Sequence, residues 1–307
     1  MKKLISYVIP AYNEEGNVEA LYRRLLSNAP PEYRAEYIFV DDGSGDNTLI
    51  KIKKIARKNP AVKYISFTRN FGHQYAIKAG LDFAKGSAVV SLDADLQNPP
   101  ELIPKMIKKW EKGIKIVYSR RISGQGKMGK DAGSSFFYRV INAMSETKID
   151  AGSADFRLLD REVVDLVKNS DEATLFLRGL VAWSGWESAV VEYLPGTRQW
   201  GETKYSFSKM FQLAVDAITS FSTLPLRLAT LIGLVMSLLS GIYGLYAIWA
   251  WVSHKSSVII GWPSVIISVL FIGGLQLMIL GIIGEYVGKI FMETKNRPLY
   301  IIKEKQL

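Results

Sequence analysis

Apolar residues in the first part of the chain come in short runs separated by stretches of helical spacing. Ile5–Ile9 is a run rich in β-branched residues that ends at Pro10. Tyr37–Val40, Val62–Phe67 and Ala88–Leu92 repeat the pattern, and the length and composition of these runs predict buried strands. Between them, Leu21, Tyr22, Leu25 and Leu26 mark one face of a helix over Glu19–Ser27. Leu49, Ile52 and Ile55 do the same for Thr48–Arg57, and a third helix is expected over Tyr75–Ala84. Strands alternating with helices predict βαβ units, and so an α/β fold with a mostly parallel sheet. Ligands of such sheets sit at the carboxyl ends of the strands. Those ends carry Tyr12, Asp41 and Asp42, Arg69 and Asn70, and Asp93 and Asp95.

Further along, a helix is expected over Glu101–Lys112 and a strand over Ile114–Tyr118. Residues 120–135 form a basic, Gly- and Ser-rich loop, followed by a helix over Phe136–Met144. Asp155–Leu159 reads as a strand, Arg161–Lys168 as a helix and Ala189–Tyr193 as a late strand, before a polar loop over 196–205. Phe207–Phe221 has the spacing of an amphipathic helix, either lying on a membrane surface or packed on the domain.

The pattern then changes. Leu228–Val252 and Ser256–Gly284 carry no charged residue, a short loop with His254 and Lys255 separates them, and each exceeds the roughly 20 residues that span a bilayer. Pro263 suits the first turn of the second helix. Arg227 precedes the first span, and Lys289, Lys295, Arg297, Lys303 and Lys305 follow the second. These basic flanks place both chain ends in the cytoplasm, with His254, Trp249, Trp251 and Trp262 toward the outer side.

Composition narrows the chemistry. The net charge is +10, which suits phosphorylated substrates or anionic lipid; with the basic residues scattered and no nucleic-acid motif, nucleic acid is not an expected partner. There is no cysteine, so disulfides, thiolate metal sites and cysteine nucleophiles are excluded. His73 and His254 are the only histidines, and His73 reads as a packing or loop residue. The basic, then apolar, N-terminus is too short for a signal peptide and reads as a first strand.

Asp93-Ala94-Asp95 directly follows an apolar strand. Side chains at i and i+2 can converge there, and two converging carboxylates call for a cation. Hard ions such as Mg²⁺ or Mn²⁺ accept carboxylates and leave positions for phosphate oxygens. Asp41-Asp42-Gly43-Ser44 caps a second strand, where a carboxylate can accept from a nucleoside or form an Asx-turn.

Val8-Ile9-Pro10-Ala11-Tyr12-Asn13-Glu14-Glu15, Val40-Asp41-Asp42-Gly43-Ser44 and Leu92-Asp93-Ala94-Asp95-Leu96-Gln97 together resemble family 2 glycosyltransferases of the GT-A fold. Arg69–His73, Asp155–Asp160 and Arg198–Ser206 narrow the resemblance to the polyprenyl-phosphate branch, which includes dolichyl-phosphate mannose synthases and bactoprenol glucosyltransferases. The two C-terminal spans favour the bactoprenol type, and the resemblance covers essentially the whole chain.

The resemblance implies inverting transfer of a hexose from a nucleotide sugar to a polyprenyl phosphate. Glucose from UDP-glucose and undecaprenyl phosphate come first; mannose from GDP-mannose and N-acetylhexosamines stay open. Pro10, Tyr12, Glu14, Asp42, Asp93 and Gln97 would bind the nucleotide sugar, and Asp93 and Asp95 the metal. Asp155 would face the reaction centre alongside Asp95, either as a base or as an orienting group. Arg120, Lys130, Ser134, Arg198 and Lys204 would bind acceptor or diphosphate oxygens. The expected organisation is a GT-A catalytic domain over 1–205, an interfacial helix over 206–223, a transmembrane hairpin over 224–290 and a basic cytoplasmic tail over 291–307. The expected location is a bacterial inner membrane, with self-association of the hairpin left open.

Other readings fit less well. A dinucleotide site needs G-x-G-x-x-G where the chain has Ala11-Tyr12-Asn13-Glu14-Glu15-Gly16. A non-catalytic scaffold would not need Asp93, Asp95, Asp155 and Arg198 intact. A processive polysaccharide synthase calls for a longer membrane part and a Gln-x-x-Arg-Trp signature.

Overall fold

The computed structural model describes residues 2–121, 153–170, 172, 175–193, 223–253 and 262–307. Its eight strands are β1 (Leu4–Ala11), β2 (Arg34–Asp41), β3 (Val62–Phe67), β4 (Ala88–Ser91), β5 (Ile116–Arg121), β6 (Ser153–Asp160), β7 (Ser188–Tyr193) and β8 (Ile302–Gln306). They form one sheet in the order β7-β5-β6-β4-β1-β2-β3-β8. β1 runs parallel to β2 and β4, β2 to β3, and β5 to β7, whereas β6 and β8 run antiparallel to their neighbours.

Alternation along the strands sorts side chains to the two faces of the sheet. Ile5, Tyr7 and Ile9 of β1 and Tyr37 and Phe39 of β2 join one core, against helices α1 (Val18–Asn28), α2 (Thr48–Lys58) and α4 (Ile103–Trp110). Val8, Ile38 and Val40 point the other way, against α3 (His73–Phe83), α5 (Arg161–Lys168) and α6 (Leu177–Trp183). The α3 helix lies so close to β1 that a Cβ on Gly80 would come within 2.1 Å of Val8 Cγ1, which explains a glycine in mid-helix. At α5, the side chain of Asp160 accepts from the amide of Glu162 and caps the helix.

Two long helices follow, α7 (Leu224–Ser253) and α8 (Trp262–Thr294). Both are long and apolar enough to cross a membrane. Leu234, Leu238 and Leu245 on α7, and Leu270 and Leu277 on α8, are exposed, whereas a soluble protein's core helix would bury such a surface. Both helices extend past the uncharged stretches, and α8 continues to Thr294.

Most strands and helices lie where the sequence pattern places them, with ends shifted by a few residues. Arg120 and Arg121, assigned by sequence to a basic loop, instead close β5, because pairing with β6 and β7 extends that strand. The expected helix over Glu101–Lys112 opens with a 3₁₀ turn, Pro100–Leu102, before α4 begins. The sequence pattern predicts neither α6 nor β8. The expected loop over 122–135, the helix over Phe136–Met144, the loop over 196–205 and the helix over Phe207–Phe221 lie outside the described residues.

Candidate active site

The chain leaves β1 toward β2 and β3 on one side, then returns to place β4 on the other side of β1. That reversal opens a crevice at the carboxyl ends of β1 and β4. Its first wall is the loop after β1, which is fastened to the loop after β2. Asn13 N–H donates to Ser44 Oγ at 3.0 Å, and Gly45 N–H returns a bond to Asn13 Oδ1 at 2.9 Å. Glu14 N–H reaches Thr48 Oγ1 at 2.8 Å, and Asn47 N–H reaches Glu15 Oε2 at 3.0 Å. Asn13 has φ 55°, a left-handed conformation that asparagine tolerates. This wall leaves Tyr12 exposed at the crevice and Pro10 buried in the strand.

Asp41 and Asp42 brace the second wall. Asp41 Oδ2 accepts from the Ser66 hydroxyl at 2.8 Å, and its Oδ1 accepts from Ser44 N–H at 3.2 Å. Asp42 is buried, and its carboxylate accepts from Phe71 N–H at 2.7 Å and Gly72 N–H at 3.0 Å, which fixes the loop after β3. Gly43, at φ 68°, lets that loop close in: a Cβ there would lie 2.4 Å from the Arg69 carbonyl carbon. Burial raises the Asp42 carboxyl above its usual range, although the two amides oppose the rise.

The acid pair lies beyond β4. Gln97 N–H donates to Asp95 Oδ1 at 3.0 Å across Leu96, whose φ of 63° is strained for a leucine. Asn98 Nδ2 donates to Asp93 Oδ2 at 3.2 Å, and Asn98 Oδ1 accepts from the Tyr193 hydroxyl at 3.2 Å. Asp93 Oδ1 is buried without a hydrogen-bond partner. Burial raises the Asp93 carboxyl; the charge of His73 opposes this, while Asp155 and Asp95 add to it. Glu14 is raised as well, first by burial and then by Asp95 and Asp93, with a hydrogen bond from Asn17 opposing. Among the described residues, no three acidic or histidine side chains gather as a metal cluster. Two carboxylates, one with an orphaned buried oxygen, suit a hard divalent ion whose other positions go to solvent or phosphate oxygens.

β6 brings in Asp155. Because β6 runs antiparallel to β4, its start lies beside the end of β4, and Ser91 Oγ donates to Asp155 O at 2.6 Å. Arg157, two residues on and fully buried, donates from Nη2 to Asp155 Oδ1 at 2.6 Å. Arg178 on α6 grips the same carboxylate side-on, Nε to Oδ1 at 3.0 Å and Nη2 to Oδ2 at 2.8 Å. His73 Nε2 lies 3.5 Å from Asp155 Oδ2 and 3.3 Å from Asp93 Oδ1. Burial works against the Asp155 charge, but the His73 hydrogen bond and the two arginines hold its carboxyl well below the usual range. Burial likewise opposes the His73 charge, and the hydrogen bond to Asp155 and the Asp93 charge outweigh it, raising the imidazole.

The structure thus places Tyr12, Glu14, Asp42, Asp93, Asp95 and Gln97 after the carboxyl ends of β1, β2 and β4, with Asp155 facing them from the start of β6. Arg120 stands at the same end of β5, its Nη1 3.7 Å from Glu192 Oε1. Lys130, Ser134, Arg198 and Lys204 lie outside the described residues. The expectation for His73 is corrected: it bridges two acids rather than merely packing. Arg157 had a local signal, since i and i+2 on a strand share a face with Asp155. Asn98 lies five residues after Asp93 in the same loop, whereas Arg178 had no signal, because only the folded sheet brings it to the acids.

Fold and crevice define a GT-A glycosyltransferase. The chain belongs to glycosyl transferase family 2, matching that family over residues 6–167, and it matches the GtrB C-terminal hairpin over 224–290. It is 43% identical over 303 residues to YkcC of Bacillus subtilis strain 168, described as an uncharacterized glycosyltransferase, covering 97% of this chain and 93% of YkcC. It is 43% identical over 311 residues to the bactoprenol glucosyl transferase of Shigella phage SfV, covering 98% and 99%. A prophage bactoprenol glucosyl transferase homolog of Escherichia coli K12 is 41% identical over 302 residues, covering 97% and 98%.

Proposed function

We propose that this enzyme transfers glucose from UDP-glucose to undecaprenyl phosphate at the cytoplasmic face of a bacterial inner membrane, inverting the anomeric carbon. One observation carries the lipid acceptor. β7, the last described strand before the hairpin, ends at Tyr193 beside Asn98, and β8, the first after it, begins opposite Phe67 at the end of β3. The described chain therefore leaves the sheet before the hairpin, and rejoins it afterwards, at the end that carries the acid pair. The names of the relatives support glucose and a bactoprenol acceptor.

In this reading, an oxygen of the lipid phosphate bonds to the anomeric carbon as the bond from that carbon to UDP breaks. The nucleophile is already an anion and needs no base. Asp155, whose two oxygens already have donors, suits an orienting role. Tyr12, Glu14, Asp42 and Gln97 would line the nucleotide side. Asp93 and Asp95 would hold Mg²⁺ or Mn²⁺, which takes up charge developing on the departing diphosphate. Arg120, Arg198 and Lys204, with Lys130 and Ser134, would offset the repulsion between two anionic substrates.

Purified protein in lipid nanodiscs, given undecaprenyl phosphate and labelled UDP-glucose, GDP-mannose or UDP-N-acetylglucosamine in turn, tests the reading. Glucosyl lipid from UDP-glucose is expected. Product from another donor alone overturns the sugar, and no lipid product overturns the reaction. Asp93→Asn should abolish transfer without lowering the melting temperature, since it removes one of two crowded charges. A large drop in melting temperature would make Asp93 a structural residue.

A further inference from the structure

Asp155 is held by more donors than its own strand provides. Arg157 meets Oδ1 alone and leaves Oδ2 free to turn. Arg178 meets both oxygens, from a helix 23 residues away. One atom, His73 Nε2, lies against both Asp155 Oδ2 and Asp93 Oδ1. The carboxylates of Asp155 and Asp93 thus share one imidazole, and Asp155 without a side-on partner would be pushed away from its like-charged neighbour.

We propose that Arg178 is a positioning residue for sugar transfer: its side-on grip fixes the Asp155 carboxylate and, through it, the His73 imidazole against the acid pair. The proposal rests on the reading of this crevice as the transfer site. The grip needs a planar fork. A guanidinium can present Nε–H and Nη2–H to two carboxylate oxygens at once, whereas an ammonium offers a point charge.

The test compares wild type with Arg178→Gln, Arg178→Lys, Asp155→Asn and the double variant Asp155→Asn/Arg178→Gln in nanodiscs. The donor is whichever labelled nucleotide sugar wild type turns over, so a wrong choice of sugar leaves the test intact. Arg178→Gln should lower kcat about 100-fold with little change in donor KM, the scale expected when a reacting group is misplaced by about 1 Å. Arg178→Lys should recover little of the loss. The double variant should be no slower than Asp155→Asn, because the arginine acts through that carboxylate. Full rescue by lysine, unchanged kcat in Arg178→Gln, or losses that multiply in the double variant would each overturn the proposal. If Arg178→Gln fails to fold, Arg178→Lys, which keeps the cation, decides by the same kcat criterion. A wild type inert with every donor overturns both this proposal and the transfer reading.

Discussion

Glu36 is buried within β2 and Asp93 stands partly buried just beyond β4, and their surroundings differ. Glu36 accepts from Lys63 Nζ at 2.7 Å, from the Lys85 amide at 2.7 Å and from the Ser6 hydroxyl. Burial opposes its charge, but these donors outweigh it and hold its carboxyl below the usual range. Asp93 Oδ1 makes no hydrogen bond, although His73 Nε2 lies 3.3 Å away, and such an oxygen suits the ligand role proposed for it. A carboxyl whose folded pKa lies below its unfolded one stabilises the fold above the unfolded value. That contribution disappears as pH falls through the folded value. For Glu36 the loss begins below about 4.5. Thermal melts stepped down from pH 7 should therefore show stability falling in this range. Glu36→Gln should be less stable at pH 7 and show a shallower acid decline. An unchanged acid slope would remove Glu36 from the account.

At the scale of elements, β8 has the most to explain. It covers the edge of β3, which would otherwise present unpaired backbone groups. Tyr300 stacks on Phe67 with centroids 5.0 Å apart, and its hydroxyl donates to Asp82 Oδ2 at 2.7 Å. Lys53 pairs with Glu304 at 2.7 Å, and Lys305 lies over the Phe83 ring. The segment that follows α8 is thereby fastened to the catalytic sheet. Tyr300→Ala should cost about 2 kcal/mol in denaturant unfolding, the sum of an aromatic pair and a hydrogen bond, and Tyr300→Phe about 1 kcal/mol. Equal stability in all three proteins would mean that the strand is not fastened by Tyr300.

The whole molecule joins a sheet whose crevice takes water-soluble nucleotide sugars in the proposed reading to two helices long and apolar enough to cross a membrane. Basic residues flank that hairpin on the catalytic side, which is the cytoplasmic side in the proposed reading. The natural absence of cysteine makes the orientation easy to test with single introduced thiols. Ser256→Cys should react with an impermeant maleimide in intact spheroplasts. Gln306→Cys should react only after the membrane is opened. The reverse pattern would place the crevice on the wrong side for a nucleotide sugar.

Much of this was legible in the sequence because it is written in short-range patterns. Runs of β-branched residues, helical spacing and two long apolar stretches fix local structure and its preferred solvent. Asp93 and Asp95 announce themselves by following an apolar strand directly. What the tertiary structure decided is long-range. The reversed direction of β6 sets Asp155 beside Asp93, the packing of α6 aims Arg178 at Asp155, and the start of α3 turns His73 from a loop residue into a bridge. β8 is short and basic, with no period of its own to betray it, and only the open edge of β3 makes it a strand. Local pattern selects elements, but which side chains meet depends on strand order and direction, and these are settled only when the sheet closes its core.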